Sequence, residues 1–393
     1  MKTHVKWILV AAARPNFMKI APLIRAIHAY NEMNSRNIHP FLVHTGQHYD
    51  VNMSDSFFKD LNLPEPDVHL GVGSGNHGEQ TGKVLIEFEK VLLQEKPDLV
   101  IVVGDVNSTV ACSLAAVKLH IPVAHIEAGL RSFDRKMPEE INRLLTDAIS
   151  DYLFTPSPDG DENLVKEGIP PEKVFLVGDI MVDSLLFNLE QAKKTDILEH
   201  LGLRPKSSTD QGPLTIDYCL LTLHRPSNVD NKESLSRILG ALATISSSIP
   251  ILFPAHPRTR KMINEFNLQR YFVDLIDNEL PIINNGIFLA NPFGYLDFLN
   301  LMAHAKIVLT DSGGIQEETT VLNIPCITLR DTTERPITLS EGTNVLVNDD
   351  PQKIVEEVGK ILAGQRRKGI CPTIWDGHTA ERIVKILAAA RTV

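Results

Sequence analysis

The sequence predicts an α/β protein of two Rossmann-like, doubly wound domains, each a parallel sheet with crossover helices. At 393 residues the chain is longer than one hydrophobic core usually serves, so two domains of roughly 200 residues each are expected. Short β-branched runs alternate with amphipathic helical stretches in both halves. Residues 195–211, rich in Gly, Pro, Ser and charge, interrupt the apolar pattern and mark the region of the boundary.

The first half alternates strand-sized apolar runs with helical spacing. Helical periodicity covers 83–94 and 108–119. The predicted strands lie at 6–12, 41–45, 99–104 and 122–126. We therefore assign a first domain to residues 1–193.

The second half repeats the alternation, and a final amphipathic helix follows it at 379–390. We assign residues 194–376 to a second domain and expect the helix within 377–393 to pack back on the first. The predicted strands lie at 217–223, 249–256, 286–290, 306–310 and 325–329. Ligands of doubly wound sheets bind beyond the carboxyl ends of the strands, so an interdomain cleft is the expected site.

Composition excludes several classes of function. A formal net charge of −10 argues against binding nucleic acid through bulk electrostatics. The first apolar run is too short for a signal peptide or a membrane span, which leads us to expect a cytoplasmic protein without a membrane partner. No GxGxxG follows the first strand and neither a P-loop nor HExxH occurs, so no nicotinamide and no metal are expected. Four scattered cysteines are interpreted as thiols: Cys112, Cys219, Cys326 and Cys371.

Polar residues follow several of the predicted strands. Arg14 and Lys19 come after the first, where a helix start also favours anions, so the segment suits a diphosphate; a solvated helix start is the alternative. Asp105 closes another strand, either facing a substrate or capping the next helix. Glu127 ends the strand at 122–126, and Glu139 lies in a helix start, where acids also suit the helix dipole. Carboxylates that converge on one cleft are what general acid/base chemistry requires.

Two segments of the second half suit a nucleotide. His224 follows a strand, where it can bind phosphate or move a proton, although a lone His is often structural. The run TDSGGIQEE places Ser312, Gly313 and Gly314 between a strand and a helix, and such glycines let backbone N–H groups approach phosphate. A carboxylate one turn into that helix can bind ribose hydroxyls.

Seven motifs, taken in order, resemble those of the non-hydrolysing UDP-N-acetylglucosamine 2-epimerases: ARPNFMKIAP, GDVNST, HIEAGLRS, MPEEINR, LHRPSN, TDSGGIQEE and RDTTERP. The resemblance implies the two-domain GT-B-type fold shared with nucleotide-sugar glycosyltransferases, with no cofactor. It implies a homodimer that serves polysaccharide biosynthesis. It also implies inversion at sugar C2 by elimination and re-addition of UDP through 2-acetamidoglucal.

By the same resemblance, each motif contributes residues to the site. The acid/base carboxylates are Asp105, Glu127 and Glu139, with His224 near the diphosphate and Arg143 supporting the charged cluster. Glu318 would bind the ribose. The implied phosphate-binding residues are Arg14, Lys19, Ser312, Gly313 and Gly314, and the nucleoside end falls to Phe298 and Arg335.

The sequence leaves alternative substrates and functions open. Segments 45–58 and 73–82 resemble a branch that acts on UDP-2,3-diacetamido-uronic acids, so the substrate is less determined than the reaction. A glycosyltransferase of the same fold would not need several carboxylates in the first domain. A non-catalytic UDP-sugar sensor would leave buried carboxylates unused at a cost. Hydrolytic epimerisation differs only in the fate of the intermediate.

Overall fold

The computed structural model describes residues 4–12, 14–34, 37–46, 63–204, 216–275 and 284–390, with only the backbone at Arg14 and Asp274. The chain forms two compact units. One comprises Met1–Phe187 together with Thr373–Val393, and the other comprises Asn188–Pro372.

The first unit contains a seven-stranded parallel sheet in its described ranges, in the order β3-β2-β1-β4-β5-β6-β7. The strands are β1 His4–Ala11, β2 Asn37–His44, β3 Val68–His69, β4 Leu99–Val103, β5 Val123–Ile126, β6 Tyr152–Thr155 and β7 Val174–Leu176. The helices are α1 Arg14–Met33, α2 His77–Glu95, α3 Asn107–Lys118, α4 Pro138–Ile149, α5 Pro158–Lys166 and α6 Ile180–Ala192, with a 3₁₀ turn at Pro171–Lys173.

The central strands of this sheet are mostly apolar because helices cover both of its faces. All five residues of β4 are buried, and so are all four of β5. The strand order reverses at β1, which has β2 on one side and β4 on the other. Ligands of doubly wound sheets bind where the order reverses, beyond the carboxyl ends of the strands.

The chain's last segment belongs to this first unit, although it follows the second unit in sequence. The terminal helix, here numbered α15 (Thr379–Ala389), packs against α1. The Trp375 indole N–H donates to the Pro156 carbonyl at 2.8 Å. The buried Asp183 carboxylate accepts from the backbone N–H groups of Thr379 and Ala380, which anchors the start of α15.

The second unit repeats the architecture with another seven-stranded parallel sheet in its described ranges, ordered β10-β11-β9-β8-β12-β13-β14. The strands are β8 Cys219–Thr222, β9 Ile251–Pro254, β10 Val273–Asp274, β11 Ile287–Ala290, β12 Ile307–Thr310, β13 Cys326–Thr328 and β14 Asn344–Leu346. The helices are α7 Ile197–His200, α8 Pro226–Val229, α9 Lys232–Ile245, α10 Pro257–Glu265, α11 Tyr295–His304, α12 Gly313–Leu322, α13 Ile337–Ser340 and α14 Pro351–Leu362, with a 3₁₀ turn at Gln269–Tyr271.

The prediction of two doubly wound α/β halves is confirmed, and every predicted strand overlaps an observed one. Strands β3, β6, β7, β10 and β14 were not predicted. They have two to four residues each. No helix in the described ranges has the length and apolarity that a membrane span requires.

Candidate active site

A buried ion pair joins the first helix to the end of β5. Lys19, on α1, places its Nζ 2.5 Å from Oε2 of Glu127, and the two side chains are 9% and 5% exposed. The predicted basic residue and the predicted carboxylate are therefore in contact, 108 positions apart in the chain. The ammonium neutralises a carboxylate that would be costly to bury alone.

Glu127 has two further unusual features. Its backbone is left-handed, with φ of 71°, in a residue type for which that conformation is strained. Its second oxygen, Oε1, is buried and has no hydrogen-bond partner in the described part of the chain. Strain and an unsatisfied buried acceptor are typical of functional sites, because packing alone does not favour either.

Asp105 follows Gly104, whose backbone lies beside this pair. A β-carbon built on the preceding Gly104 would lie 3.1 Å from Lys19 Nζ and 3.5 Å from Glu127 Oε2, so the ion pair lies over the backbone that leads into Asp105. Strands β4 and β5 are neighbours and parallel, with Val103 opposite Ile126. Their carboxyl ends thus bring two of the predicted catalytic carboxylates together.

Arg143 anchors Asp105 from the next helix. Its Nε and Nη2 donate to Asp105 Oδ2 at 3.0 and 2.6 Å, and its Nη1 donates to Glu140 Oε2 at 2.6 Å. Asp105 keeps a third of its side chain exposed, whereas Arg143 and Glu140 are almost fully buried. The pairing gives the partly exposed Asp105 a fixed orientation, and the supporting role of Arg143 in the reaction stays a prediction.

The two adjacent acids of the MPEEINR motif occupy different environments. Glu139, in the first turn of α4, is half-buried and forms no ion pair within the described ranges. Glu140 is buried, and its carboxylate also accepts from the backbone N–H groups of Ser132 and Phe133. Sequence reasoning did not select Glu140, although its spacing of three from Arg143 is a recognisable helical ion-pair signal.

In the second unit, the predicted glycines lie at a helix start. Ser312 is the N-cap residue of α12, with extended backbone, and Gly313 and Gly314 are the first two helical residues. The first N–H groups of a helix lack intrahelical partners and face an anion favourably. Nothing lies within 4 Å of a β-carbon built on Gly314, so this side of the helix start is open.

Arg335 lies over the other glycine. A β-carbon on Gly313 would be 2.6 Å from Arg335 Nη1, so only glycine leaves room for the guanidinium. Glu317, one turn into α12, pairs with Arg335 Nε at 2.5 Å. The TDSGGIQEE and RDTTERP motifs therefore lie together, and the Arg335 guanidinium is held beside the start of α12.

Asp311 connects this helix start to His224. The fully buried carboxylate accepts from the backbone N–H groups of His224 and Arg225 and from Asn228 Nδ2. His224 Nδ1 lies 3.2 Å from Asp311 Oδ1, and 46% of the imidazole is exposed. Asp311 thereby orients an accessible imidazole. Sequence reasoning did not select Asp311, although its position at the end of a buried strand, directly before Ser-Gly-Gly, could have indicated it.

The remaining predicted site residues lie outside the contacts described above. Glu318 is buried on α12. Phe298 is half-buried on α11, which contacts α12. The side chain of Arg14 lies outside what the structure describes, as does most of the 45–58 segment. Within the described residues, no group of three His, Cys, Asp or Glu side chains is suited to a metal ion.

One family model and several known proteins are similar to this chain. The family model for UDP-N-acetylglucosamine 2-epimerase matches residues 31–388. The UDP-N-acetylglucosamine 2-epimerase of Methanocaldococcus jannaschii is 47% identical over 385 residues, which cover 98% of this chain and 99% of that protein. The UDP-2,3-diacetamido-2,3-dideoxy-D-glucuronate 2-epimerase of Pseudomonas aeruginosa is 40% identical over 387 residues, covering 98% and 99%.

A solved structure extends the likeness to three dimensions. The crystal structure of the M. jannaschii UDP-GlcNAc 2-epimerase in complex with UDP-GlcNAc and UDP superposes with a TM-score of 0.84 at 45% identity, over 98% of this chain and all of that one. The family match and the relatives both extend over nearly the whole chain. The chain belongs to the UDP-N-acetylglucosamine 2-epimerase family.

Proposed function

We propose that this enzyme interconverts UDP-N-acetylglucosamine and UDP-N-acetylmannosamine by eliminating and re-adding UDP. In the forward step the C2–H and C1–O bonds break and a C1=C2 double bond forms. A protein carboxylate takes the proton, and UDP leaves with the electron pair. Re-addition of UDP to the bound 2-acetamidoglucal, with protonation of C2 on the opposite face, inverts that centre.

The observation that carries the proposal is the pair of carboxylates at the ends of β4 and β5. Glu127 offers a buried, unpartnered oxygen, and Asp105 is held by Arg143 with part of its side chain exposed. Inversion requires proton transfer on both faces of C2, which two separately held carboxylates can supply. Glu139, at the neighbouring helix start, is the third candidate. A glycosyltransferase would not need this set.

Most contacts to the nucleotide end of the substrate are assigned to the second unit. Ser312, Gly313 and Gly314 would bind phosphate oxygens through the start of α12, with His224 near the diphosphate. Glu318 would bind the ribose. Arg335 and Phe298 are assigned to the nucleoside, and Arg14 and Lys19 to the phosphates. Stabilising the departing diphosphate is as necessary for elimination as the base is.

The test is proton NMR of the purified chain with UDP-N-acetylglucosamine in deuterated water. We expect a new anomeric signal of UDP-N-acetylmannosamine and deuterium at C2 of both sugars. Glu127→Gln should lower turnover by about 100-fold or more. Glu79→Gln changes an exposed acid that pairs with Lys83; it is the matched control and should retain full turnover. Release of free N-acetylmannosamine would instead indicate the hydrolytic reaction.

A second substrate is favoured by one specific observation, the relative that acts on UDP-2,3-diacetamido-2,3-dideoxy-D-glucuronate at 40% identity. The chemistry at C1 and C2 is the same for both sugars, so the carboxylates do not discriminate between them. Parallel assays with the two UDP-sugars decide the question through the ratio of kcat/KM. A ratio above about tenfold identifies the preferred substrate.

We also propose that the enzyme is a cytoplasmic homodimer, as the family resemblance implies. Light scattering coupled to gel filtration measures the oligomeric state directly. A single species near twice 43.7 kDa supports the dimer, and one near 43.7 kDa contradicts it.

A further inference from the structure

A second buried ionic cluster lies close to the carboxylates in the first unit. His125, the third residue of β5, is completely buried, and Asp147 on α4 is 1% exposed. His125 Nδ1 lies 2.6 Å from Asp147 Oδ1, and its Nε2 lies 2.9 Å from the Gly104 carbonyl oxygen. Asp147 Oδ2 accepts from the Gly129 N–H and from Arg131 Nη2.

Both ring nitrogens of His125 face acceptors. A carbonyl oxygen such as that of Gly104 can only accept. Asp147 is an acceptor as well, because its Oδ2 already accepts from the Gly129 N–H and from the Arg131 guanidinium. A neutral imidazole would turn a lone pair toward one of these oxygens. The geometry is satisfied only when the ring donates through both nitrogens, as an imidazolium.

The two contacts terminate on the segments that carry the catalytic candidates. Gly104 immediately precedes Asp105, and Gly129 lies two residues after Glu127. All three residues at these turns, Gly104, Glu127 and Gly129, have left-handed backbones with φ of 70°, 71° and 77°. A strained turn persists only when its surroundings hold it, and here the hydrogen bonds to Gly104 and Gly129 do so.

We propose that His125 and Asp147 are positioning residues of the epimerase reaction: Asp147 holds His125 doubly protonated, and the Nε2–H group of His125 fixes the Gly104 carbonyl and so sets the spacing of Asp105 and Glu127. The inference rests on the proposed function. A purely structural role would stabilise the fold without affecting turnover per folded molecule. The two roles therefore predict different effects of a substitution on kcat.

Two substitutions separate the two hydrogen bonds. In His125→Gln the amide nitrogen reaches the position of Nε2 and can still donate to Gly104. In His125→Asn it takes the position of Nδ1 and can still donate to Asp147. Both remove the ring, so both should lower the melting temperature. We expect His125→Gln to keep kcat within about fivefold and His125→Asn to lose about 30-fold or more, with similar KM values.

Equal kcat losses in the two variants, or losses that follow the melting temperatures alone, would overturn the positioning role. The hydrogen bonds are tested separately by ¹⁵N-histidine NMR of the wild-type chain, in which the signals of one of the 14 histidines disappear on His125→Gln substitution. We expect both ring N–H groups of His125 to be observed. A single N–H signal contradicts the bridge. A wild-type chain that shows both signals but turns over no UDP-sugar would contradict the proposed function instead.

Discussion

Replacing Lys19 with Met should destabilise the first unit strongly, because it leaves a buried carboxylate without its counter-charge. The side chains of Lys19 and Glu127 are 9% and 5% exposed, with 2.5 Å between Nζ and Oε2. Removing one partner of such a pair costs about 3–5 kcal/mol, since the remaining ion cannot reach water. For a unit of this size the loss corresponds to a melting temperature about 8–15 °C lower.

A double-mutant cycle measures the coupling energy between Lys19 and Glu127. Glu127→Gln removes the other charge, and the double variant removes both, so no unpaired ion is left buried. We expect the double variant to be more stable than Lys19→Met by at least about 2 kcal/mol, which gives a large coupling energy. Calorimetry of the four proteins measures it. The Glu79→Gln variant controls for the loss of a carboxylate that is exposed.

Two results would refute this account. If Lys19→Met cost less than about 1 kcal/mol, water or another cation must reach Glu127. If the two single losses summed to the loss of the double variant within about 0.5 kcal/mol, the ion pair would not be an energetic unit. Either result would also weaken the argument that Glu127 is held in place for proton transfer.

Two further predictions concern other parts of the molecule. Gly313→Ala would place a methyl group 2.6 Å from Arg335 Nη1 and displace the guanidinium, so calorimetric UDP affinity should fall about 10- to 100-fold. Gly359→Ala, whose added carbon meets nothing within 4 Å, should bind as the wild type does, and equal losses in both would contradict the explanation. Burial, reinforced by a neighbouring histidine, lowers the pKa of His44 from 6.5 to about 4, so the unfolded state binds its proton first as the pH falls. Stability should therefore decrease below pH 6.5, by up to about 2 kcal/mol between pH 7.5 and 5, relative to a His44→Asn variant; parallel pH profiles of the unfolding free energy would contradict this assignment.

The architecture follows from local properties of the sequence. Strands such as β4 and β5 are buried on both faces, so all residues of β4 and all but His125 of β5 are apolar, and the runs stand out against amphipathic helices such as α2. The motifs were recognisable for a related reason. A substrate contact at a strand end needs particular residue types at a particular spacing, and Ser312 to Gly314 before α12 satisfy that requirement within a few positions.

Which groups form pairs was decided only by the tertiary structure. Lys19 and Glu127 are 108 positions apart, and Arg143 and Asp105 are 38 apart, so no local pattern connects them. The same holds within one motif: Glu139 and Glu140 are chemically identical neighbours, but the helix turns the second toward Arg143 and leaves the first half-exposed.

The cluster around His125 could not be predicted from the sequence. In the sequence His125 is an unremarkable residue within an apolar strand, and Asp147 is one of many acids on helices. Their roles arise because parallel strands end at one edge of the sheet, where a carbonyl, a backbone N–H and a carboxylate from separate segments meet in the buried interior. The sequence alone determined which chemical groups this protein has and which strands they follow. Only the packed sheet determined which of these groups are paired, buried or left open to a substrate, because those properties depend on distances between residues that are far apart along the chain.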